Sequence, residues 1–89
     1  MYPTFRGSEV KPSRTADREM CDLKIYLDDV IKILQQGKDA SRSKRKPDTV
    51  EKVLPIRGKA IKVVVVASVT QWNNEVCWLI THVGETHER

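Results

Sequence analysis

Four basic residues fall within five positions of this 89-residue sequence, at Arg42, Lys44, Arg45 and Lys46. Lysine and arginine side chains donate to phosphate oxygens without reading a base sequence, so a row of them suits contact with a nucleic-acid backbone. The same residues on the outermost strand of a sheet would discourage edge-to-edge aggregation. Such a run also formally matches a targeting signal. The sequence leaves these three interpretations open.

The basic run belongs to a wider positive region. Residues 37–62 hold nine basic and three acidic residues, a net charge of +6, whereas the rest of the chain carries −2. Such an asymmetry attracts polyanions over about a Debye length, ~8 Å at physiological salt. We therefore predict that Arg57, Lys59 and Lys62 extend a nucleic-acid-binding surface. Ordinary turn solvation and a snorkelling lysine explain these three residues equally well.

One histidine, His82, is a candidate for acid–base chemistry. Metal-independent RNA cleavage needs a group that exchanges protons near neutral pH and cations that stabilise the phosphorane. The second histidine, His87, falls in the polar C-terminal tail, and the sequence shows no other acid–base partner. His82 is therefore a catalytic candidate without an identified partner.

The sequence shows no pattern typical of a metal site, a phosphate-binding loop or a membrane span. Cys21 and Cys77 do not have the spacing of a closed metal site. The four glycines are isolated from one another, so no phosphate-cradling loop is present. The longest apolar run, residues 63–67, is far shorter than the ~18 residues of a membrane span, and no signal-peptide pattern is visible. We expect a cytoplasmic protein with neither metal nor cofactor and no membrane partner.

Hydrophobic periodicity predicts two helices that would support these residues. Both have an apolar stripe at helical spacing: Ala16, Met20 and Leu23 in the first, and Leu27, Val30, Ile31 and Leu34 in the second. Ser13 or Thr15 can cap the first helix. Gly37 is predicted to end the second helix in a left-handed conformation.

After Gly37 the apolar period changes to two, which predicts strands over residues 42–46, 50–56, 60–69 and 75–83. Strict alternation places Trp78, Ile80 and His82 on one face of the last strand. The connections are short, so the sheet is expected to be largely antiparallel. The predicted fold class is α+β, with two N-terminal helices packed on three to four strands. Residues 1–12 are expected to be a flexible arm, 13–84 a single domain and 85–89 a polar tail.

The stretch SRTADREMCDLKIYLDDVIKILQQG resembles the opening of a family of small uncharacterised prokaryotic proteins related to the RelE-like toxins. That family typically begins with Ser-x-His-Ala-x-x-Arg-Met on its first helix, and a second helix ending in glycine follows. The matching residues here are Ser13, Ala16, Met20, Ile25, Val30, Leu34 and Gly37. The family's His and Arg correspond to Thr15 and Glu19 in this chain. The resemblance covers about residues 13–84 and implies a RelE-like fold.

Three functional hypotheses follow from the residues and the resemblance. The first is a small RNA-binding protein that contacts RNA or the ribosome through the basic residues above; the resemblance implies that such a protein would be a degenerate RelE-like member. The second is a toxin-type ribonuclease that uses His82, for which the resemblance implies an antitoxin-like partner. The third is a non-enzymatic interaction module that docks a partner or a second copy of itself.

Overall fold

A computed structural model of the chain describes residues 2–39, 48–69 and 75–86. In chain order the elements are β1 (Thr4–Phe5), β2 (Ser8–Pro12), α1 (Arg14–Leu23), α2 (Leu27–Gln36), β3 (Lys38–Asp39), β4 (Thr49–Ile56), β5 (Lys59–Val69) and β6 (Val76–Glu85). The six strands form one sheet in the order β1-β2-β6-β5-β4-β3, which curls into a half-barrel. Neither described helix has the length and apolar character that a membrane crossing needs.

The two helices begin and end where local chemistry favours it. Ser13 caps α1, because its Oγ accepts from the backbone N–H of Ala16 at 3.1 Å. Lys24 ends α1 in a left-handed conformation and donates its N–H to the last carbonyls of the helix. At the start of α2, Asp29 accepts from the backbone N–H of Tyr26 at 3.0 Å. The chain can therefore turn between the helices within three residues.

The predicted fold class was wrong in its sheet. We expected two helices on a RelE-like sheet of three to four largely antiparallel strands, but the sheet has six strands and is mixed. Strand β2 runs parallel to β6, with Val10 opposite Trp78, and β1 pairs antiparallel with β2. The additional strands come mainly from the N-terminal segment, residues 1–12, for which we expected a flexible arm.

Two anchors hold this N-terminal segment on the sheet. Val10 is completely buried between the sheet and the helices. The indole Nε1 of Trp78 donates to the carbonyl of Phe5 at 2.9 Å, and the two aromatic rings lie 5.8 Å apart at a tilted angle. Strand β1 has only two residues and β2 contains a single valine among polar residues and a proline, so neither shows a period of two, and these long-range contacts decide the local structure.

Strand β5 is the centre of the sheet, with β4 and β6 antiparallel on its two sides. Its residues Ile61, Val63 and Val65 are buried on the face of the sheet that carries the helices, where α1 packs mainly on β6 and α2 packs on β4 and β5. Residues that alternate with them, including Lys62 and Val64, belong to the opposite face. We call this the outer face; it is defined by Lys62, Val64 and Val66 of β5 and by their cross-strand neighbours.

Gly37 ends α2, but not in the predicted left-handed conformation. Its φ of −72° and ψ of 165° are extended, a conformation open to any residue. A Cβ on Gly37 would press on the carbonyl oxygen of Ile33 and lie 2.8 Å from that of Val53. Position 37 therefore requires glycine because no room is left for a Cβ, and not because of its backbone conformation. The strand predicted over residues 42–46 lies outside the described residues.

Candidate functional site

A β-bulge in β6 brings His82 to the outer face. Val65 of β5 is opposite Ile80, whereas Val64 is opposite His82, so Thr81 is an extra residue in β6. The Thr81 hydroxyl donates to the carbonyl of Val64 at 3.3 Å. The extra residue reverses the alternation, and His82 shares a face with Val64 instead of Ile80. The predicted common face of Ile80 and His82 was therefore wrong.

Glu19 of α1 holds the imidazole of His82. Its Oε2 lies 3.1 Å from His82 Nδ1, and its Oε1 accepts from the backbone N–H of Val83 at 3.1 Å. One carboxylate therefore satisfies the bulged backbone and orients the ring. A carboxylate at Nδ1 favours the tautomer whose Nε2 is open to accept a proton. The His82 side chain is 46% exposed, so this nitrogen belongs to a ring that solvent can reach.

Gly84 provides the space into which the His82 ring leans. A Cβ on Gly84 would lie 2.8 Å from His82 Nε2 and 3.1 Å from Cε1. Gly84 is directly opposite Lys62 on β5. The ring edge that carries Nε2 is therefore turned toward the strand position of Lys62. The two nitrogen-bearing side chains share one face on neighbouring strands.

Lys62 is itself held by an acidic residue of β4. Its Nζ lies 3.4 Å from Glu51 Oε1. The Glu51 side chain is only 3% exposed, whereas that of Lys62 is 31% exposed. Two carboxylates thus flank two nitrogen-bearing side chains: Glu19 of α1 contacts His82 at the edge of β6, and Glu51 of β4 contacts Lys62 of β5. A histidine and a lysine between two carboxylates can bind an anion and exchange a proton.

Arg57, a predicted nucleic-acid-binding residue, lies against the helices. Its guanidinium Nη2 donates to the carbonyl of Lys24 at 2.5 Å and lies 3.4 Å from Asp29 Oδ2. These groups form the α1–α2 junction, so Arg57 is not brought together with Lys62. Lys59 is exposed beside the β4–β5 turn. The residues of the basic run, Arg42, Lys44, Arg45 and Lys46, lie outside the described residues.

Sequence reasoning found His82 and Lys62 but missed Glu19, Glu51 and Gly84. Glu19 is 63 positions from His82 in the chain, so only the folded structure shows their contact. The structure shows the bulge as two buried residues of β6, Ile80 and Val83, that lie three positions apart instead of two or four. The sequence does not mark this break, because apolar residues occur at every position from 76 to 80.

No three His, Cys, Asp or Glu side chains in residues 2–39, 48–69 and 75–86 are grouped so that they could hold a metal ion. Cys21 is exposed on α1 and Cys77 is buried in β6. Comparison with protein-family models, curated proteins and solved structures found no match to the chain. The relation to RelE-like proteins remains a prediction.

Proposed function

We propose that this protein binds RNA and that the outer face of the sheet is a contact surface. The observation that supports the proposal is the placement of Lys62 and His82 on the same face of neighbouring strands, with the His82 ring turned toward Lys62. The Lys62 ammonium offers donors to a phosphate oxygen, and Nε2 of the His82 imidazole does so when the ring is protonated. Both side chains are reachable by solvent.

The net positive charge of residues 37–62 favours a polyanionic ligand over a small anionic one. Residues 37–62 carry a net charge of +6, and the four cations of the basic run connect β3 to β4 in sequence. A flexible single-stranded backbone presents several phosphates to cations spread over one surface. We therefore favour single-stranded RNA as the ligand, with the basic run as a source of additional phosphate contacts.

The test is a binding assay with the full chain. Fluorescence anisotropy of a labelled 12-nucleotide single-stranded RNA is followed at about 50 to 200 mM salt, the range in which phosphate contacts lose affinity steeply. We expect Lys62→Ala to weaken binding and to lower the salt slope by about 0.7, the value for one phosphate contact on a single strand. Lys32→Ala removes an exposed cation from α2 and is the matched control. Binding that is absent at low salt, or equal in the two variants, would refute the proposal.

A specific observation also favours a second candidate, RNA cleavage. Glu19 holds the His82 ring in a fixed orientation, as the carboxylate of a catalytic triad does for the histidine that acts as general base. In this reaction Nε2 of His82 takes the proton of a ribose 2′-hydroxyl, and the 2′-oxygen attacks the adjacent phosphorus. The bond from phosphorus to the 5′-oxygen breaks, and this leaving oxygen takes a proton from water. Lys62 stabilises the charge on the phosphorane.

RNA cleavage is tested with paired substrates. The purified protein is incubated with an RNA and with the same sequence in 2′-deoxy form. We expect only the RNA to be cut, with a loss of about 100-fold or more in rate for His82→Gln. Glu19→Gln should cost about tenfold because the ring loses its orienting carboxylate. An intact RNA after long incubation, or equal cleavage by the His82 variant, would exclude this reaction and leave the binding proposal standing.

A further inference from the structure

We infer that Glu51 competes with RNA phosphate for Lys62 and thereby limits how tightly the outer face binds. The inference rests on the proposed function and concerns the same site. Glu51 and Lys62 lie diagonally on adjacent strands, because Glu51 is opposite Val64 and Lys62 is opposite Val53. Their charged atoms are 3.4 Å apart.

Lys62 and Glu51 differ in solvent exposure, and this difference determines which of the two side chains can move toward a phosphate. The Glu51 side chain is fixed in a buried position, whereas the Lys62 ammonium is partly exposed on a long flexible stem. The lysine can swing toward a phosphate, and the carboxylate cannot follow it. A phosphate that takes Lys62 therefore leaves a buried negative charge with less compensation and adds a second negative charge nearby. Both effects oppose binding.

The sheet contains a second lysine–carboxylate pair that serves as a control. Lys52 Nζ lies 2.6 Å from Asp39 Oδ1. Lys52 is opposite Val63, so it belongs to the face that carries the helices. Asp39→Asn changes the net charge by the same amount as Glu51→Gln and releases a lysine, but on the other face. A general gain in positive charge would strengthen binding in both variants, whereas competition at Lys62 strengthens it only in Glu51→Gln.

The experiment measures anisotropy of the same 12-nucleotide RNA with the wild type, Glu51→Gln, Asp39→Asn, Lys62→Ala and the Glu51→Gln/Lys62→Ala double variant. We expect Glu51→Gln to bind about fivefold more tightly, the size expected for removal of one close charge near a partly exposed group. The gain should disappear in the double variant, which should match Lys62→Ala. Asp39→Asn should stay within about twofold of the wild type, since its lysine lies elsewhere.

Circular dichroism establishes that each variant is folded. If Glu51→Gln is unfolded, Glu51→Asp replaces it, because the shorter side chain keeps its charge but withdraws from Lys62; a smaller gain in affinity is expected. Unchanged or weaker binding by the folded variant overturns the inference. A gain that persists without Lys62 overturns it as well. If the wild type does not bind RNA, or Lys62→Ala binds as well as the wild type, it is the proposed function that fails.

Discussion

Lys24 follows α1 with φ 58° and ψ 41°, a left-handed conformation that glycine adopts at lower cost. We predict that Lys24→Gly stabilises the fold by about 1 kcal/mol, since it removes the clash between Cβ and the backbone. The carbonyl that accepts from Arg57 is retained. Urea unfolding measures the change, and Lys24→Ala is the control because it keeps a Cβ and should bring no gain. Equal stabilities of the glycine and alanine variants would contradict this account.

Gly37 and Gly84 both lack room for a Cβ, but their neighbours differ. At Gly37 the obstacles are the backbone carbonyls of Ile33 and Val53, which cannot move independently of the helix and strand. We predict that Gly37→Ala destabilises the protein by about 2 kcal/mol, within the range for overpacking a filled interior. Thermal and urea unfolding measure the loss. A change below about 0.5 kcal/mol, typical of surface substitutions, would show that the site relaxes.

At Gly84 the obstacle is the imidazole of His82, a side chain that can rotate away. We predict that Gly84→Ala changes stability by less than about 1 kcal/mol, because alanine also favours the strand. It should nevertheless move the imidazole ¹⁵N resonances of His82, since the ring must leave Glu19. Gly37→Ala is the comparison, in which stability falls and the imidazole resonances stay. Unchanged His82 resonances in Gly84→Ala would contradict the proposed packing of the ring.

The β4–β5 hairpin is fastened to the helix pair by Arg57. One guanidinium reaches the carbonyl that ends α1 and the aspartate that begins α2. We predict that Arg57→Ala lowers the free energy of unfolding by about 1 kcal/mol, the net value of a hydrogen bond at a partly exposed position. Lys59→Ala is the matched control, since within the described residues no ion pair involves Lys59. Equal stability of both variants would show that the contact is not maintained in solution.

Strand β3 is held to β4 by Lys52 and Asp39. The hydrogen bond from Lys52, together with its charge, lowers the pKa of the Asp39 carboxyl below the ordinary 3.8. A lowered pKa in the folded state adds stability above pH 3.8, and this contribution is lost as the pH falls through the folded value. We predict a small stability advantage over Asp39→Asn at neutral pH, because the pair is exposed, and its disappearance in acid. Urea unfolding at several pH values checks this; an advantage that grows in acid would contradict it.

Periodicity predicted the long elements of the fold and failed for the short ones. The apolar stripe of α2 and the run of valines in β5 each span enough residues to show a period. Strands β1 and β2 depend on Trp78 and Val10, contacts between distant parts of the chain that no local pattern encodes. For the same reason the sequence indicated His82 and Lys62 as chemical groups but could not predict the carboxylates that hold them.

Several basic side chains of the sheet are already in contact with carboxylates. Arg57 is engaged by the helix pair, whereas Lys62 and His82 are on the outer face, each beside a carboxylate. The outer face is therefore less positive than the count of basic residues suggests. We expect moderate, strongly salt-dependent binding, because each phosphate contact releases counterions and the Lys62 ammonium is already paired with Glu51.

The most direct measurement is a titration of the ¹⁵N-labelled protein with the 12-nucleotide RNA, followed by amide resonances. If the outer face binds RNA, the largest changes fall on Lys62, His82 and Gly84, and the exposed side of α2 around Lys32 is unaffected. Changes centred on α2, or no changes at a concentration of RNA that saturates the anisotropy signal, would contradict the account.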